Sequence, residues 1–237
     1  MREVNLSAGR IVQYGHWGRP VLVFPSEGGT AHEYADRGMV HALAPLIEAG
    51  RIKVYCVDSR DAGAWSARHL PIEERARQHE QFEAWIVGEV VPFVHDDTGP
   101  DIIATGSSLG AYHALNLALR HAHLVPQAIC LSGNYDVGSW AAWGERGDAT
   151  YFNNPADYVP GLHGAHLDWL RSRLSLVLVC GQGQWEDTTG SLEQTRRMAG
   201  MLHGKGIPCE LDVWGPRWPH DWPSWRAQIA KHLPRFC

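Results

Sequence analysis

Each signal missing from this 237-residue sequence removes a class of protein. The five cysteines form no CxxC pair and the fourteen histidines no HxxxH pair, so a structural zinc site has no support and no metal is expected. Cys56, Cys130 and Cys180 lie inside apolar runs, Cys209 opens another, and Cys237 is the last residue. Their odd number and placement predict reduced, mostly buried thiols rather than a disulfide framework. Basic stripes are missing too: the net charge of −5 comes from scattered signs, and nucleic acid is not an expected partner. No apolar run approaches the length of a membrane span, and Met1 to Leu6 does not lead a charged segment into an apolar one. These absences predict a protein of the cytosol with no membrane partner. Without repeats, linkers or low-complexity tracts, residues 1–237 are expected to form one domain, large enough to bury a sizeable core.

What is present is an alternation of short apolar runs with helical patterns. Glu3 to Ala8 and Arg10 to Tyr14 read as a hairpin turning at Ala8-Gly9, and Pro20 to Pro25 as a buried strand. The spacing then predicts a helix over 37–49, a strand over 51–58, and a long amphipathic helix from Pro71 to about His95 that Pro92 kinks or ends. Further strands are predicted over 127–132, 174–180 and 209–214. Helices are predicted over 191–203 and about 223–233, with an irregular, cap-like insertion over 133–173. Apolar runs that do not alternate, set between helices, are what a mostly parallel sheet covered on both faces requires. The expected fold class is therefore α/β, doubly wound.

The strongest local signal lies between Asp101 and Ala122. An apolar strand-like run enters Gly106-Ser107-Ser108-Leu109-Gly110 and leaves as a helix-like run to Arg120. A serine at the tip of a strand-to-helix turn sits in strained backbone geometry with its hydroxyl exposed, and the turn closes only if the residues two before and two after are nearly without side chain. Gly106 and Gly110 meet that demand around Ser108. The five-residue pattern by itself is weak in a chain with 25 glycines; the flanking strand and helix make it specific.

A serine hydroxyl is a poor nucleophile unless a base takes its proton and an acid orients that base. On a nucleophile-elbow sheet the partners follow in the order serine, acid, histidine. The acid slot, after the 174–180 strand, holds Glu186 and Asp187. Glu186 is the first choice, and Asp187, beside Thr188, suits a turn or helix cap. The base slot, between the last strand and the last helix, holds His220; Asp221 suits the cap of that helix. His113 reads as a core histidine, and His121, His123, His203 and His232 as surface or capping residues. An oxyanion formed at Ser108 needs two aimed N–H groups. One is expected from Leu109, the other from the loop after the 20–25 strand, at Glu27 or Ser26. The aromatic residues of the insertion, with Trp185, Trp218 and Trp222 beside the acid and base, could line a flat apolar substrate pocket.

These segments resemble the esterase group of α/β-hydrolases that includes esterase D-like enzymes, feruloyl esterases and the antigen 85 mycolyltransferases. The resemblance is densest at Gly106 to His113, Cys180 to Glu186, and Leu211 to Gly215 with His220 to Trp225. It implies the α/β-hydrolase fold, Ser108, His220 and Glu186 as a triad, and no cofactor. The S-formylglutathione hydrolases of the group carry a histidine where this chain has Ser107. The expected activity is hydrolysis of small carboxylic esters through an acyl-serine. An acyltransferase on the same acyl-enzyme and a non-catalytic scaffold are the alternatives.

Overall fold

The computed structural model describes residues 1–237. Eight strands form one sheet: β1 (Arg2–Leu6), β2 (Gly9–Tyr14), β3 (Arg19–Phe24), β4 (Ile52–Val57), β5 (Ile103–Ser107), β6 (Gln127–Leu131), β7 (Ser175–Cys180) and β8 (Cys209–Val213). Their spatial order is β1-β2-β4-β3-β5-β6-β7-β8. The β1–β2 hairpin is antiparallel, with Leu6 opposite Gly9, and β2 runs antiparallel to β4. From β4 to β8 every pairing is parallel. Every residue of β4 and β5 is buried, as a parallel strand covered on both faces demands.

The helices are α1 (Glu33–Asp36), α2 (Met39–Ala42), α3 (Ala44–Glu48), α4 (Ile72–Trp85), α5 (Val91–Thr98), α6 (Leu109–Arg120), α7 (Asp148–Phe152), α8 (Pro155–Gly161), α9 (Gly164–Arg173), α10 (Ser191–Gly204) and α11 (Trp222–His232). The sheet separates two cores. The larger joins α4 to α10 on one face, and the smaller joins α1 to α3 and α11 on the other. No helix is long and apolar enough to cross a membrane.

Three helical expectations are corrected. The predicted 37–49 helix is two short pieces, α2 and α3, because Pro45 has no N–H to carry a continuous helix past Leu43. Of the two outcomes expected at Pro92, a kink or an end, the end is excluded: the helix is distorted by a π turn over Ile86–Val90 and runs on to Thr98. The 133–173 insertion is not irregular: α7, α8 and α9 lie in it, and Ala149, Ala156, Tyr158, Val159, Leu167 and Leu170 join the larger core.

Candidate active site

The site forms at the C-terminal ends of the parallel strands, where an open α/β sheet leaves a crevice. At the end of β5, Ser108 adopts φ 55° and ψ −119°, a conformation that costs a non-glycine residue about 1–3 kcal/mol. Its N–H donates to the Leu131 carbonyl (2.9 Å), which ties the elbow to β6. A Cβ on Gly106 would lie 2.4 Å from the Gly110 carbonyl carbon, so the elbow closes only because both positions lack one.

His220 reaches Ser108 from the loop between β8 and α11. Its Nε2 lies 3.1 Å from Ser108 Oγ, and its Nδ1 lies 2.9 Å from Glu186 Oε2. The loop is placed by docking on the loop that follows β7: the His220 N–H donates to the Gln184 carbonyl, and the Gly183 N–H to the Trp218 carbonyl. The approach is so close that a Cβ on Gly181 would lie 2.0 Å from the Trp218 carbonyl oxygen.

Glu186 is fully buried. Burial pushes its carboxyl up, but hydrogen bonds from His220, from the Ser132 hydroxyl (2.6 Å) and from the Gly181 N–H (3.0 Å) outweigh that, and it lies below the usual carboxylate range. The Cys180 thiol approaches its other oxygen at 3.3 Å. Asp187, on the wall of the cleft that holds Ser108, makes no hydrogen bond to His220. Its Oδ1 accepts from the Thr188 N–H (2.8 Å), and the residue preceding α10 is Gly190, so Asp187 serves a turn and not the helix cap. Asp221 does cap α11, accepting from the Trp222 N–H.

The Leu109 N–H opens α6 immediately after the serine, where a helix leaves its first donors free. Ser26 cannot supply the second donor, because its N–H is held by Glu33 Oε2 at 2.8 Å. The Glu27 N–H makes no hydrogen bond to any loop carbonyl or side chain, and Glu27 lines the same cleft as Ser108 and Leu109. Its carboxylate is turned to the Ser66 hydroxyl (2.6 Å).

That cleft measures about 660 Å³, and only 4 of its 17 lining residues are hydrophobic. The expected aromatic pocket is corrected in both membership and character. Trp185 is half exposed outside the cleft, Trp218 packs edge-on against Trp214, and Trp222 packs against Trp225. The aromatic lining comes from Trp65 and Trp140, which meet edge to face at 5.5 Å. Both are held from behind by fully buried Arg75, which donates to the carbonyls of Trp65 (3.0 Å) and Trp140 (3.1 Å). The Trp65 loop is anchored further by Asp61, bonded at 3.0 Å to His113 on α6. The rest of the wall is polar, with Ser139, Thr188, Thr189 and Gln194 among it.

No group of three or more histidine, cysteine, aspartate or glutamate side chains could hold a metal ion. The five cysteines are unpaired, and Cys56, Cys130 and Cys180 are buried. His232, expected as a surface or capping residue, is buried in the last turn of α11 and bonded to Asp212 at 2.8 Å.

A sheet of this order with a serine elbow at the end of β5 defines an α/β-hydrolase. The profile of the family described as "Putative esterase" matches residues 22–236, and the chain belongs to that family of serine-type carboxylic ester hydrolases. A search of curated protein sequences finds no match. Among solved structures, a ferulic acid esterase superposes with a TM-score of 0.71 at 16% identity, over 96% of this chain and 91% of that one. The S-formylglutathione hydrolase of Agrobacterium tumefaciens gives 0.69 at 14% identity over 99% and 97%. MPT51 of Mycobacterium tuberculosis gives the same TM-score, identity and coverage. At these identities the likeness is one of fold.

Proposed function

We propose that this enzyme cleaves small, polar carboxylic esters through an acyl-Ser108 intermediate. The observation that carries the reading is the unbroken line of hydrogen bonds from Ser108 Oγ through both ring nitrogens of His220 to buried Glu186. His220 Nε2 takes the Ser108 proton as Oγ attacks the ester carbonyl carbon. Glu186 holds the Nδ1 proton and stabilises the imidazolium that forms. The carbonyl oxygen, now an oxyanion, is received by the N–H groups of Leu109 and Glu27. The tetrahedral intermediate collapses, the C–O bond to the alcohol breaks, and His220 returns the proton to the departing alkoxide. Water then repeats the sequence on the acyl-enzyme, giving the free acid and Ser108.

The largely polar cleft wall supports esters whose parts form hydrogen bonds over long aliphatic chains. The test is a set of p-nitrophenyl esters assayed with wild type and Ser108→Ala, together with labelling by a fluorophosphonate probe. Ser108→Ala is expected to lose hydrolysis and labelling while keeping its melting temperature, because one hydroxyl is removed and no large cavity is left. Labelling that persists in Ser108→Ala would assign the nucleophile elsewhere.

A further inference from the structure

Ser132 is the first residue beyond β6, fully buried, and held at φ 51° although it is not glycine. Its backbone N–H donates to the Val179 carbonyl of β7 (2.7 Å), which points its side chain at the acid. Ser132 Oγ is 2.6 Å from Glu186 Oε1 and 3.0 Å from Trp225 Nε1. An indole N–H can only donate, and an ionised carboxylate can only accept. The one proton on Ser132 Oγ therefore points to Glu186, and the Trp225 N–H prevents it from turning away.

The consequence runs along the whole line. Glu186 Oε1 is occupied by Ser132 and the Gly181 N–H, which leaves Oε2 facing the His220 Nδ1 proton. With that proton fixed on Nδ1, Nε2 is bare toward Ser108. Trp225 also touches the base directly: its ring meets the His220 ring edge to face at 5.0 Å and 84°. One side chain of α11 thus braces the base and, through Ser132, the acid.

We propose that Ser132 is a positioning residue of the ester-cleaving machinery, oriented by Trp225 and acting on Ser108 through Glu186 and His220. This rests on the reading of Ser108, His220 and Glu186 as the triad. Without the Ser132 hydroxyl, Glu186 can rotate and share its oxygens differently when the imidazolium forms. The loss should fall on the transition state, and so on kcat more than on KM.

The backbone at Ser132 provides a built-in control. Alanine is as strained as serine at φ 51°, whereas glycine is not, so Ser132→Gly should melt higher than Ser132→Ala while lacking the same hydroxyl. Both variants are expected to lower kcat by about 10- to 100-fold, the size of one charge-assisted hydrogen bond, with KM changed less than about threefold. In both, the low-field proton resonance of His220 Nδ1 should move from its wild-type position. Trp225→Phe, which keeps a ring against His220 and deletes the N–H, should lower kcat by a smaller factor, about 3- to 10-fold.

A kcat within twofold of wild type in both Ser132 variants overturns the proposal. So does a kcat that follows melting temperature, with Ser132→Gly fully active and Ser132→Ala impaired. Ser108→Ala is assayed beside them. If it stays active, the triad reading itself fails; if it is dead while the Ser132 variants are normal, only the role of Ser132 fails.

Discussion

A Cβ added to Gly110 would lie 2.4 Å from the Phe24 carbonyl oxygen, and one added to Gly106 would lie 2.4 Å from Gly110 itself. The end of β3, the end of β5 and the start of α6 therefore meet backbone to backbone, and no side chain can rotate to relieve an added methyl. Gly106→Ala is expected to cost about 3 kcal/mol, the upper end of overpacking, and to lower the melting temperature by about 6–12 °C. It should also remove esterase activity, because the shift displaces Ser108. A melting curve that overlays wild type would show that the elbow has room the geometry does not provide.

Glu186 and Asp187 are neighbours in sequence with separate hydrogen-bond partners, and substitution should divide them. Glu186→Gln keeps the shape but cannot hold the Nδ1 proton as a charged acceptor, and kcat should fall by about 10³- to 10⁴-fold with KM little changed. Asp187→Asn weakens the turn contact to Thr188, at a cost of about 1 kcal/mol or less, and removes one charge from the cleft wall, so any effect on activity should fall on KM. Steady-state kinetics and melting of the two variants decide the matter. The reverse ranking in kcat would move the acid to Asp187.

Substrate length should matter in a defined direction. A long acyl chain gains about 0.8 kcal/mol per methylene only where it finds apolar surface, and most of this cleft wall is hydroxyl, amide and carboxylate. Across p-nitrophenyl acetate, butyrate, octanoate and palmitate, kcat/KM is expected to be highest for the short esters and to fall beyond butyrate. A maximum at palmitate would mean the cleft opens onto an apolar surface not lined by these residues.

Arg75 offers a test of the cleft that leaves Ser108 untouched. Its guanidinium bridges the carbonyls of Trp65 and Trp140 from behind, and its second terminal nitrogen reaches the Ala141 carbonyl at 3.5 Å. One guanidinium nitrogen, Nη1, donates to both acceptors, and methionine keeps the length of the side chain while offering neither carbonyl a donor. Arg75→Met should therefore raise KM more than it lowers kcat, as the two walls lose their common tie. A large fall in kcat at constant KM would place the effect on the chemistry and refute the assignment.

Stability should decline on mild acidification because of His79. The ring is buried without a hydrogen-bond partner, and burial pulls it well below its ordinary value of 6.5 despite Glu83 at 3.7 Å. His232 shifts the same way, burial outweighing the Asp212 contact. The folded state refuses a proton that the unfolded chain accepts below about pH 6.5, so this part of the stability is intact above that pH and lost below it. The slope approaches about 1.4 kcal/mol per pH unit for each such histidine. Urea unfolding at pH 7, 6 and 5 should show the decline, and His79→Phe should flatten it. An unchanged slope in His79→Phe would assign the pH dependence to other groups.

Local patterns in the sequence carried the α/β class and the strand-turn-helix at Ser108, and they singled out Glu186 and His220, which the fold brings within hydrogen-bond distance of one another. Strand burial, the glycines two residues either side of Ser108, and the order serine, acid, histidine are all properties of short segments, and a segment shows them without its neighbours. Tertiary packing decided what adjacent residues do differently. Glu186 and Asp187 diverge because Ser132, 54 residues away in sequence, and the docked His220 loop claim one carboxylate and leave the other to a turn. Ser26 and Glu27 diverge because Glu33 takes the first N–H. Of the tryptophans nearest Glu186 and His220 in sequence, Trp185 is half exposed and Trp218 and Trp222 pack on other tryptophans, whereas Trp65 and Trp140, from distant loops, line the cleft because Arg75 draws their backbones together. A side chain's direction depends on the hydrogen-bond partners that the fold brings from elsewhere in the chain, and no local pattern contains those.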